Sequence, residues 1–125
     1  MSTPIGVVFV FDQEEDAMVF TSMTDAACWM EAVDVEAGEY TAAFTVDGHI
    51  ITMTGRGEVV VLVRTDQENH ADLERRLARH WHLNGLGQTP STPAEAARLL
   101  FDRQNEPRPT VLRRITTWWR KNRIG

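Results

Sequence analysis

The stretch "YTAAFTVDGHIITMTGRGEVVVLVR", residues 40–64, decides the fold class. It holds three runs, "YTAAFTV" (40–46), "HIITMT" (49–54) and "EVVVLVR" (58–64), rich in the β-branched and aromatic residues that suit a pleated, half-buried surface. Asp47-Gly48 separates the first two runs, and this dipeptide is a strong short hairpin signal because a two-residue turn needs positive φ. "GRG" (55–57) turns the chain into the third run. The three runs therefore predict an antiparallel meander. "EVVVLVR", apolar through its centre, is expected in the middle of the sheet.

Upstream, "IGVVFVF" (5–11) is a near-continuous apolar run too short for an ordinary helix, and reads as a buried strand. "DQEED" (12–16) is a polar loop, and "AMVFTS" (17–22) a second strand antiparallel to the first. "SMTD" (22–25) has capping-box spacing, with Ser22 as N-cap, so a helix is expected over about 23–33. Ala26, Met30 and Val33 would share its buried face, and Gly38 ends the segment. Residues 1–64 thus read ββαβββ.

Residues 65–125 read as helical. Asp66 is the expected cap of a helix reaching Leu83, with Leu73, Leu77 and Trp81 repeating every four residues and His70 on the same face. Asp72 and Arg76 form an i,i+4 pair. "TPAE" (92–95) supplies an N-cap, a proline at the first helical position and a closing glutamate for a helix to Gln104. A last helix is expected over about 109–122. The expected class is α+β, a single domain with an antiparallel sheet of about five strands in the first half packed against three C-terminal helices.

A chain of 125 residues can bury a real core, and 42% hydrophobic with 25% charged residues is an ordinary globular composition. The single cysteine, Cys28, excludes an internal disulfide. The N-terminus has no basic n-region and no stretch is long and apolar enough to span a bilayer, so a cytoplasmic location is expected. Charge is unevenly spread. Residues 1–60 hold one Arg and eleven acids, a net −10, whereas residues 61–125 hold twelve cations and seven acids, a net +5. Such a split suits two surfaces of opposite sign, or a tail that folds back on the acidic half.

Motifs for chemistry are scarce. Glu31, Asp34, Glu36, Glu39 and Asp47 crowd residues 31–49, but "DVEAGE" does not match the spacing of a calcium loop. His80 and His82 are two apart on a helix and point to different sides, and zinc-protease spacing is missing. Cys28 lies among acids inside a helix, a poor setting for a thiolate. No cofactor and no metal is called for, and no catalytic residue is assigned. The acidic segment, closed by Tyr40, instead has the make-up of an interface, with Asp34, Glu36, Glu39 and Tyr40 as candidate contacts. The tail "PTVLRRITTWWRKNR" places Val111, Leu112, Ile115, Trp118 and Trp119 within about 120° of helical arc. Arg113, Arg114, Arg120 and Lys121 occupy the rest.

The segment from Ala17 to Ile51 resembles small uncharacterised proteins of actinobacteria that share an E-x-[IV]-D-V-x-x-G-E-Y turn followed by a strand and a D-G hairpin. The matching residues are Glu31, Val33, Asp34, Val35, Gly38, Glu39, Tyr40, Asp47 and Gly48. The resemblance covers about a quarter of the chain, implies the fold of that quarter and implies no activity.

Three functions follow as expectations. The first is a non-enzymatic protein-binding module, of the immunity type that neutralises a toxin, whose acidic surface meets a basic protein partner. The second is binding to an anionic membrane or to nucleic acid through Arg113, Arg114, Trp118, Trp119, Arg120 and Lys121, a helix that could also form a homodimer. The third is a small-molecule enzyme or ligand carrier, for which the sequence offers no residue set.

Overall fold

The computed structural model describes residues 6–104. The expected helix over about 109–122 and the basic residues assigned to it lie outside the described residues. Five strands form one antiparallel sheet: β1 (Val8–Asp12), β2 (Ala17–Phe20), β3 (Tyr40–Thr45), β4 (His49–Arg56) and β5 (Val59–Glu68), in spatial order β2-β1-β3-β4-β5. Four helices are described: α1 (Met23–Trp29), α2 (Ala32–Glu36), α3 (His70–Leu83) and α4 (Pro93–Gln104). The class is α+β, as the sequence predicts.

The helices cover both faces of the sheet. Phe9, Phe11, Ala17, Val19 and Phe44 pack with Leu73, Leu77, Trp81, Ala96, Ala97 and Leu100 of α3 and α4. Val8, Val10, Met18, Ala43, Ile51 and Val60 pack with Ala26, Met30 and Ala32 around α1 and α2. This explains why "VVFVF" does not alternate. A half-covered strand would be polar at every second residue, whereas β1 is the wall shared by two cores and is apolar on both sides. Residues Val7 to Phe11 are all fully buried. Phe11 meets Phe44 edge-on at 6.1 Å between ring centroids, and Arg76 lies over the Phe11 ring.

Four expectations are corrected. β5 is an edge strand, not a central one, and Val59 and Val63 are 62% and 50% exposed. An apolar run shows that a strand can be buried on both faces, but the layer formed by α3 and α4 stops short of β5. The helix expected over 23–33 is broken at Met30, which takes an extended conformation (φ −81°, ψ 150°) and separates α1 from α2. The break keeps Met30 in the core but turns Val33 outward, to 65% exposure. Asp66 caps nothing. β5 runs on to Glu68, and Asn69 caps α3 by accepting from the Asp72 N–H at 3.1 Å. His70, at the start of α3, is exposed rather than on the core face.

The other boundary signals act as read. Ser22 accepts from the Asp25 N–H at 3.0 Å, and Thr92 from the Glu95 N–H at 3.2 Å. Gly48 closes the β3–β4 turn at φ +91°. A Cβ there would meet the His70 ring at 2.5 Å, so Gly48 serves both the turn and the docking of α3.

Candidate functional site

The acidic segment does not stand alone. Asp12, the last residue of β1, is paired with Tyr40, the first of β3, across a register shift. That places the β1–β2 loop beside the turn between α2 and β3. Gln13 clamps the two: its N–H donates to the Glu39 carbonyl and its side-chain amide to the Gly38 carbonyl, both at 2.9 Å. The "DQEED" loop thereby joins "EAVDVEAGEY", and Asp12, Glu14, Glu15, Asp16, Glu31, Asp34 and Glu39 gather at one end of the sheet. Sequence reading took residues 12–16 as a polar loop and no more, because nothing local reveals which other loop a β-turn will face.

Within the loop, Asp12 Oδ1 accepts from the N–H groups of Glu14 and Asp16 at 2.9 and 3.0 Å, and Glu15 takes φ +66°. Asp12, Glu14 and Asp16 bring one carboxylate oxygen each to within 4.8 Å of the others. Three such oxygens could contribute to holding a hard cation, although calcium takes six to eight ligands. Arg79 Nε donates to Glu15 Oε2 at 2.7 Å and ties the loop to α3. His80 is buried and accepts the Ala17 N–H on Nδ1 at 2.9 Å, which places its ring proton on Nε2. Asp16 Oδ1 lies 3.6 Å from the same Nδ1.

The candidate contact residues occupy different depths. Asp34 is only 6% exposed and so offers little surface of its own. Glu36 is exposed and lies across Gly55 of β4, where a Cβ would come within 3.0 Å of its side chain. Glu39 and Tyr40 are half-buried. Burial pushes the Tyr40 hydroxyl well above the usual tyrosine range, and the carboxylates of Asp34, Glu39, Glu31 and Asp12 push it further the same way. Both effects favour the neutral hydroxyl.

Beside these acids lies an aromatic pad. Trp29 meets Tyr40 at 6.3 Å and Phe20 at 5.7 Å between ring centroids, and remains 36% exposed. Trp29 and Phe20 were not singled out from the sequence. Each ends its own element, and their contact exists only because α1 folds back along β2. The result is an amphipathic surface with three rings in contact and carboxylates around the Tyr40 end. No helix among the described residues is long and apolar enough to cross a membrane.

No protein-family model, curated protein or solved structure matches the chain.

Proposed function

We propose that the protein is a non-enzymatic binding module that engages a basic protein partner through its acidic end, in the manner of an immunity-type protein that occupies a toxin. The observation that carries this reading is the half-exposed Phe20–Trp29–Tyr40 pad with Glu31, Asp34, Glu39 and Asp12 around the tyrosine. Exposed aromatic surface supplies desolvation energy at an interface, and surrounding charge of one sign sets partner choice and encounter rate. A Lys- or Arg-rich surface fits both parts, because guanidinium and ammonium groups can stack on the rings and pair with the carboxylates.

The test is co-purification from the native host with wild-type protein and with Trp29→Ser and Glu39→Lys. The expected outcome is a basic protein recovered with the wild type, released by rising salt and lost from both variants while their folds persist. Recovery of no partner, or of one indifferent to both substitutions, would sink the reading.

A further inference from the structure

We propose that His49, Glu68 and His70 form a binding site for a divalent transition-metal ion of the zinc type. The three meet at the end of the sheet away from Asp12 and Tyr40. His49 opens β4 and stands opposite Glu68, the last residue of β5, and His70 is the first residue of α3. Backbone bonds hold this corner together. The Asn69 N–H donates to the Gly48 carbonyl at 3.0 Å, which ties the start of α3 to the Asp47-Gly48 turn. The His70 ring lies so close to Gly48 that a Cβ there would come within 2.5 Å of its Nδ1.

The hydrogen bonding of His49 points to a cation. Its Nδ1 lies 2.9 Å from the Thr65 carbonyl, which only accepts, so Nδ1 carries a proton. In the neutral ring Nε2 is then a lone-pair nitrogen. It faces Glu68 Oε1 at 3.4 Å and Asp47 Oδ2 at 3.8 Å. His70 Nε2 lies 3.6 Å from the same Glu68 Oε1. Acceptors that face one another in this way call for a positive charge between them. A proton joins one pair of them at a time, whereas a metal ion engages both imidazoles and the carboxylate together. An Nδ1–H bonded to a backbone carbonyl is also the outer arrangement that fixes the tautomer of metal-bound histidines.

The spacing suits a tetrahedral ion. Zinc bonds to nitrogen and oxygen of about 2.0–2.2 Å set neighbouring ligand atoms about 3.4 Å apart, close to both histidine–Glu68 separations. The His49 side chain, 16% exposed and held by Thr65, is the anchor. The His70 side chain is 58% exposed, and the edge between the two imidazoles closes as its ring turns. Water takes the fourth position. Two imidazoles and a carboxylate, with no thiolate, select zinc, nickel or copper over calcium and magnesium. Asp47 stays in the outer layer: its Oδ1 accepts from the Thr45 hydroxyl, and its Oδ2 is 3.8 Å from Arg64. The site uses none of the residues of the acidic end, so its test is independent of the partner reading.

The experiment titrates the chelator-treated full chain with Zn²⁺ by calorimetry and with Co²⁺ by visible absorption. The expected result is a single equivalent bound per chain, with the intense Co²⁺ spectrum of a low coordination number. Imidazole nitrogen resonances identify the ligands: Nε2 of His49 and of His70 shift with added Zn²⁺, while His49 keeps its Nδ1 proton. His70→Ala and Glu68→Gln, both at exposed positions, each weaken binding by roughly tenfold or more with an unchanged circular dichroism spectrum. Arg64→Gln strengthens it several-fold, since a neighbouring cation is removed and Asp47 is released. Glu14→Gln, in the β1–β2 loop, leaves it unchanged. No binding of either ion up to millimolar concentration overturns the proposal, as does binding that is indifferent to His70→Ala and Glu68→Gln or lost with Glu14→Gln instead. A His49 Nε2 that responds to pH but to neither ion would show the cluster to be ion pairs built around protons, and would also overturn it.

Discussion

Tyr40 is where the acidic end and the core share one side chain. Its hydroxyl is harder to ionise in the folded chain than in the unfolded one, whose reference value is 10.0. The sign follows: stability from the neutral hydroxyl is full below that value and is lost as pH rises toward the higher folded value. Alkaline titration of the wild type, followed by circular dichroism, is expected to show a loss of stability above about pH 10 that Tyr40→Phe flattens. Gly48 gives a second prediction at this scale. Gly48→Ala must hold φ +91° and push its Cβ into the His70 ring, so a loss of more than about 1 kcal/mol is expected in urea unfolding. The Asp47-Gly48 turn was legible because its signal is local. The contact with His70 was not, because it depends on where α3 docks.

At the scale of elements, caps and ion pairs behave as their spacing says. Asp72 receives Arg76 Nε at 3.0 Å and is also paired with Arg75. Burial acts to raise its pKa, but the hydrogen bonds from Arg76 and Arg75 outweigh it and hold the carboxyl below 3.8. The stability this gives is present above that value and is lost as pH falls through the lower folded value. Asp72→Asn is expected to flatten the acid limb of the stability profile, at a cost of about 0.5 kcal/mol at neutral pH. The two verified N-caps give a sharper number: Ser22→Ala and Thr92→Ala are each expected to cost about 1 kcal/mol by urea denaturation. What the elements did not announce was the break at Met30. Residues 23–36 contain neither Pro nor Gly, and the kink answers the need to lay α1 and α2 on one sheet face, with Gly55 letting α2 come close. Likewise the end of β5 at Glu68 overrode Asp66, since the strand's pairing with β4 outlasts its apolar run, with Glu68 opposite His49.

For the whole molecule, β1 is the common wall of both hydrophobic clusters, so neither helical layer should survive loss of the other. Phe9→Ala empties a fully buried site on the side of α3 and α4 and is expected to cost about 3–5 kcal/mol. The measurement is denaturant unfolding, with near-ultraviolet signal and backbone ellipticity expected to fall together in one transition. The amino-acid sequence by itself determined the strands, the hairpin at Asp47-Gly48, the capped helix starts and the uneven charge, because hydrophobic period, turn chemistry and caps act over a few residues. Only the tertiary structure decided that β1 rather than β5 is the centre of the sheet. It alone brought residues 12–16 to the acidic segment, set Trp29 edge-on against Tyr40, and met the backbone of β2 with His80 and Gln104. Each of these depends on contacts between residues far apart in the chain, and strand order and layer coverage are set by how the whole core closes.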